Sequence, residues 1–287
     1  MDQHVVHLKQ VMIGLIKAAA LLALFVPNNG HTQDFASGQS AYQSGDYTVA
    51  LSQWKPMAED GDPIAQLRIG KMYSKGQGVQ QDDSEAIKWY QLAAEQGNAD
   101  AQNELGDIYR FGFGVPNDQA IALKWYRLAS DGGNARAQRW LAALYSIGLG
   151  VVQDAGEAAR LYRLAAEQGD PIAQDALGGL YEIGSGVPKD ENLAEQWYHS
   201  SVKSYLTEAK NGNNFAQFQL GKAYTAGKGV PKDLISAHVW FNIAATNGIQ
   251  DSQTTMYETQ FLLTEAELII AQSRARICLE SNYKDCD

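Results

Sequence analysis

An all-α solenoid of stacked helix hairpins is predicted by three features of this sequence. One pattern is written five times, the apolar residues within each copy recur at helical spacing, and glycine-rich turns separate the helical runs. The copies begin at Pro63, Ala99, Ala135, Pro171 and Asn214, so three steps are 36 residues long and the fourth is 43. The excess of seven lies between Trp197 and Gly212. Seven residues make about two helical turns, so the insertion is expected to lengthen a helix while keeping its apolar face in phase.

The chain opens with Lys9 and Lys17, an uncharged apolar run over Ala18 to Val26, and then Pro27-Asn28-Asn29-Gly30. That layout predicts an export signal over residues 1–32, cleaved near Thr32 or Gln33. Nine apolar residues fall short of the roughly 20 that span a bilayer as a helix, so no transmembrane segment is expected in the mature chain. The absence of cysteine there argues against lipid attachment. Residues 33–62 read as a degenerate leading repeat, with Ala50, Trp54 and Gly61 in corresponding slots.

The second copy shows the physics of one unit. Ala101, Leu105, Ile108 and Tyr109 form one apolar stripe, and Gly112 stands where a left-handed cap would end the helix. In the turn Gly112-Phe113-Gly114-Val115-Pro116-Asn117-Asp118 the glycines permit positive φ, Pro116 blocks continuation and Asp118 can cap the next helix. Ala122, Trp125, Tyr126 and Ala129 form the second stripe, and Gly133 ends it. The repeats are therefore predicted at 63–98, 99–134, 135–170, 171–213 and 214–249, with a terminal helix and tail over 250–287. Gly70, Gly106, Gly178 and Gly221 leave room for the second helix of each pair, whose tryptophans are the expected bulky partners. Thr264 and Glu267 form a capping box ahead of a run in which Leu268, Ala271, Ala275 and Leu279 share a face.

The order Ala-x-Ala-Gln, Leu-Gly-x-x-Tyr, Gly-x-Gly-Val-x-x-Asp, Ala-x-x-Trp-Tyr, Ala-Ala-x-x-Gly resembles the Sel-one-like repeat family, a relative of the tetratricopeptide repeats. The resemblance implies a right-handed α/α superhelix serving as a non-catalytic scaffold or adaptor, often in bacterial envelopes. It also implies partners that are other proteins or peptides, here envelope or host proteins. The alternative is a β-lactam-binding or hydrolysing, or cell-wall-associated, protein like the cysteine-rich relatives. Those carry a disulfide in each repeat, and no repeat here contains cysteine.

The formal charge of -10 disfavours nucleic acid, because phosphate binding needs a basic surface. The glycine turns follow helices where a dinucleotide loop needs a strand first, so they read as caps and no cofactor is expected. Asp82, Asp118, Asp154, Asp190 and Asp233 recur in the helix-start slot, which argues for capping and against acid/base catalysis. His199 and His238 stand without an evident nucleophile or ligand, so neither an enzyme nor a metal site is expected. Cys278 and Cys286 have three readings: a local disulfide in an oxidising compartment, a reduced pair, or a poor metal site.

If helix A lines the concave side, as in tetratricopeptide-like arrays, its fifth, ninth and twelfth slots point into a groove. Those slots hold Leu67, Lys71, Asn103, Asp107, Arg110, Arg139, Asp175, Glu182, Phe218 and Lys222. Their chemistry varies from copy to copy, which fits either a binding groove or plain solvent exposure. The sixth slot holds Trp140 in one copy against Arg68, Glu104, Ala176 and Gln219 in the others. Trp140 is either a peptide anchor beside Arg139 or a filler next to Leu161, which replaces tryptophan in the third copy. Phe111 and Phe113 are weaker candidates that can also pack under the next turn.

Overall fold

The computed structural model of the chain describes residues 29–286, which form helices and turns and no strand. The expected leader falls mainly on residues 1–28, outside the described residues, and the first helix begins at Asn29, ahead of the expected cleavage point. The chain divides between Gln96 and Gly97 into two compact units.

The first unit holds α1 (Asn29–Gln43), α2 (Tyr47–Glu59), α3 (Pro63–Lys75) and α4 (Asp83–Glu95), each packed on its neighbour in sequence. Trp54 of α2 is fully buried, and its indole N–H donates to the Phe35 carbonyl at 3.2 Å. A Cβ on Gly38 would lie 2.4 Å from that indole, so the leading hairpin is closed by a tryptophan seated on a glycine.

The second unit continues with α5 (Ala99–Phe111), α6 (Gln119–Asp131), α7 (Ala135–Ile147), α8 (Ala155–Glu167), α9 (Pro171–Ile183), α10 (Glu191–Lys210), α11 (Asn214–Ala226) and α12 (Leu234–Thr246). These are four helix hairpins whose members pack in sequence order. The insertion appears where the period slips: α10 has 20 residues, against 13 in α6, α8 and α12.

Local chemistry sets the boundaries. All five repeated aspartates cap a second helix, as when Asp118 Oδ1 accepts from the Ala120 and Ile121 N–H groups at 2.9 and 3.0 Å. Gly112 ends α5 at φ 77°, a left-handed conformation that side chains resist. The second glycine of the turn answers a different need. Gly186 also has positive φ, and a Cβ there would lie 1.9 Å from the Ala155 carbonyl oxygen of the preceding repeat.

The bulky partner of the helix-A glycine is not tryptophan. A Cβ on Gly70, Gly106, Gly178 or Gly221 would run into the ring of Tyr90, Tyr126, Tyr198 or Phe241, the residue after each tryptophan. One residue turns the side chain by about 100° around the helix, so only one of the two aromatics faces the glycine. Trp54 follows the same geometry, since it stands 36 residues before Tyr90.

The Ala-Gln pair joins consecutive hairpins. Gln66 donates to the Ala58 carbonyl at 3.0 Å, Gln174 to Ala166 at 3.1 Å and Gln217 to Ala209 at 3.2 Å, each adding a second bond to a carbonyl that already accepts from the Gly61, Gly169 or Gly212 N–H at the end of the preceding helix. Their own carbonyl oxygens accept from Gln96, Ser204 and Asn247 respectively. These amides are buried, so their hydrogen bonds fix how each of these three pairs sits on the one before it.

Beyond the last repeat the structure adds α13 (Gln250–Gln260), which the aperiodic sequence did not reveal, and then α14 (Glu265–Glu280) with the expected capping box. Both pack on α12. Ala271, Ala275 and Cys278 of α14 bury against Val239, Trp240 and Ile243, while Leu268 and Leu279 are only partly covered. Cys278 and Cys286 are joined by a disulfide with Cα atoms 4.4 Å apart, and both are buried.

Candidate functional site

The groove slots of helix A do not form one uniform face. In the first unit Leu67 is buried in packing and Lys71 is half-buried. In the second unit Asn103 and Asp107 are buried as well, so these slots serve the fold in part. The remaining candidates gather into two clusters.

The first cluster joins α5, α6 and α7. Asp107 Oδ1 accepts from the Tyr126 hydroxyl at 2.6 Å, and Arg136 stands 2.7 Å from Asp107 Oδ2. Burial and then that hydrogen bond push the Tyr126 phenol well above its ordinary range. Arg110 sits over the indole of Trp140, its Cζ 3.6 Å from the ring centre, and also meets Phe111 at 4.8 Å. Arg139 approaches the same indole at 4.9 Å, but its Nε donates to Asp170 at 2.9 Å, so its charge is already matched. Trp140 packs against the core that contains Leu161; its buried Nε1 has no hydrogen-bond partner, nor has Arg110 Nη1.

Three neighbouring turns carry a row the packing does not use. The last residue of helix A is Phe111, Ile147 and Ile183 in consecutive repeats, exposed by 51%, 68% and 71%, with Phe113 and Leu149 exposed beside them. Phe111 and Phe113 meet as tilted rings with centroids 5.6 Å apart, and about half of each is exposed.

The second cluster surrounds a cavity of about 410 Å³ between α9, α10 and α11. Asp175 and Lys222 line it, so two of the sequence candidates meet there, and Phe218 lies 5.8 Å from the Lys222 ammonium. Glu182 accepts from the Tyr198 hydroxyl at 2.6 Å and from Lys228 at 2.6 Å. Hydrogen bonds from Lys228 and then Tyr198 hold the Glu182 carboxyl below its ordinary value, and burial followed by the Glu182 contact lifts Tyr198 to about 12. For Lys228 the bonds to Glu182 and Tyr198 outweigh the opposing effect of burial, and its ammonium is raised.

Sequence reasoning missed Lys228, Tyr198 and Tyr205 as cavity residues. The available signal was the pair Ala176 and Gly179, the smallest combination in the sixth and ninth slots of any copy, next to the lengthened helix. Small side chains vacate the space, and the added turns of α10 bring Ser201 and Tyr205 to its wall.

The histidines take no part in either cluster. His199 Nδ1 lies 3.1 Å from the Gly229 carbonyl oxygen, and His238 is buried with Nδ1 3.2 Å from Thr259 Oγ1. No grouping of histidine, cysteine and carboxylate among the described residues is arranged to hold a metal.

Comparison with known proteins matches the Sel1 repeat over residues 63–98, 99–134, 135–170, 171–204 and 214–249. The chain belongs to the Sel1 repeat family. The fourth match stops short of Gly212 because the seven extra residues lie outside the family pattern. A Sel1 repeat protein from Oxalobacter formigenes has 33% identity and a TM-score of 0.64, covering 85% of this chain and 99% of its own. The protein c5321, a protective antigen present in uropathogenic Escherichia coli strains and displaying an SLR fold, has 28% identity and a TM-score of 0.54, with 90% of this chain and 66% of its own covered. Comparison with the curated proteins gave no match. Sel1 repeat proteins are scaffolds for protein–protein interaction, and no described helix of this one is long and apolar enough to cross a membrane.

Proposed function

We propose that this Sel1 repeat protein is an exported, non-catalytic adaptor that holds an envelope or host protein along the helix-A side of its second to fourth repeats. The observation that carries the reading is the set Phe111, Ile147 and Ile183, large apolar residues that stay exposed in the same slot of three consecutive units. Large apolar side chains left exposed in the same slot of successive units are candidates for an interaction surface. The Arg110–Trp140 contact adjoins Phe111 and supplies the residue types that dominate interface energetics. Export is supported by the leader-like composition of residues 1–32 and by the Cys278–Cys286 bridge, which persists in oxidising compartments.

The test replaces Phe111, Ile147 and Ile183 with serine together and compares crosslinked partners in intact cells. These side chains are exposed, so circular dichroism and melting should match the parent chain, while the captured partner should be lost. An unchanged set of captured proteins would refute the docking row. N-terminal sequencing of the mature chain checks export, and a chain that retains residues 1–32 in the cytoplasm would refute that part.

A further inference from the structure

We propose that the outer face of α14 is a homodimer interface, on which a second copy of this chain lays its own α14 antiparallel about a two-fold axis. The inference is independent of the docking row, which lies on other helices.

The face is apolar where an end cap needs a polar one. Helix α14 closes the stack by burying Ala271, Ala275 and Cys278, and a closing element ordinarily turns polar residues to water. On its far side Ile269, Ile270 and Ile277 are instead exposed, with Ala266 and Ser273 completing the stripe at helical spacing. Phe261 and Leu262, in the turn just before the helix, are exposed as well.

Charge identifies the occupant. Glu265 and Arg276 flank this stripe on the same side, because eleven residues bring a helix back to within about 20° of its starting direction. Glu265 has no ion pair among the described residues, and Arg276 reaches Glu280 at 4.0 Å with both side chains exposed, so each is free to pair elsewhere. An antiparallel copy brings Glu265 to the other copy's Arg276, and the two-fold makes the contact twice. A parallel copy sets like charge against like.

Side-chain size agrees with this register. When Ala266 stands opposite Ile277, Ser273 stands opposite Ile270, small against large at every step. Glu265 is then about 3 Å along the axis from the other copy's Arg276, within the reach of two long side chains. A lipid surface suits the face less well. Helix α14 carries three carboxylates and two guanidiniums, and Arg274 turns inward to Ser236, so the basic face of a membrane-lying helix is lacking.

The experiment is sedimentation equilibrium on the chain in the form its host produces, from micromolar to sub-millimolar concentration. The buffer holds about 0.15 M salt, which screens the general repulsion of two acidic chains beyond about 8 Å and spares close pairs. The parent is expected to dimerise reversibly. Glu265→Arg alone or Arg276→Glu alone replaces two attractions by two repulsions and should weaken the dimer about tenfold. The two changes together restore both pairs with their signs exchanged, so affinity should return to near the parent value. Ile269→Ser with Ile277→Ser should leave a monomer that melts with the dilute parent, since both side chains are exposed. A parent that stays monomeric throughout, a dimer indifferent to the single reversals, or a double reversal no tighter than either single would each overturn the interface. A monomeric parent that sediments with phosphatidylcholine vesicles would assign the face to lipid and overturn it equally. The captured partner of the docking row is read separately, so either conclusion can fail alone.

Discussion

At the scale of single residues, the tyrosine seated on a glycine is the sharpest contact in each hairpin. A methyl group at Gly106 would stand 2.6 Å from two ring carbons of Tyr126, and Tyr126 is pinned by Asp107. Gly106→Ala is therefore expected to cost about 1–3 kcal/mol, measured by denaturant unfolding. A variant as stable as the parent would show that the ring can retreat. His238 gives a pH dependence: burial lowers its pKa from the ordinary 6.5. The unfolded chain then takes up a proton near that value and the folded chain resists, so stability is flat above it and falls as pH drops through it. His238→Gln should flatten this fall in melting temperature. The glycines and the capping aspartates were legible because their causes lie within a few residues. The choice of Tyr126 over Trp125 was not, since it depends on how far α6 is rotated about its own axis.

At the scale of elements, α14 depends on a covalent clasp. The bridge closes a loop with a sequence separation of 8, and it holds the tail over the core of the last hairpin. Cys286→Ser, or reduction, should lower unfolding free energy by about 2 kcal/mol. Denaturant curves that coincide with and without reductant would contradict this. The capping box of α14 was readable because Thr264 and Glu267 form it alone. By contrast α13 has no side-chain hydrogen bond at its N-cap, where Ile249 stands, and no sister copy to reveal its period. Its evidence is tertiary: Ser252 donates to the Phe241 carbonyl at 2.8 Å, and Thr259 meets His238.

At the scale of the molecule, a stack of hairpins needs a closed end, because each unit buries its second face only on the next. Removing residues 250–287 should expose Val239, Trp240 and Ile243 and lead to association, detected as concentration-dependent light scattering. A truncated chain that stays monodisperse and melts like the parent would show that the end caps are dispensable. The family and the number of units could be read from the sequence, since repetition is a one-dimensional property. The cavity could not, since its walls come from Asp175, Tyr205 and Lys222 on three helices, and no linear pattern shows that they meet.

The long α10 has one more effect. In a ladder of equal steps the packing frame carries no landmark, and only the side chains in the groove slots tell one rung from the next. The extra length between Trp197 and Gly212 makes one rung unlike the rest. That irregularity sets one position of the backbone frame apart from the others, independently of any side chain in the groove slots.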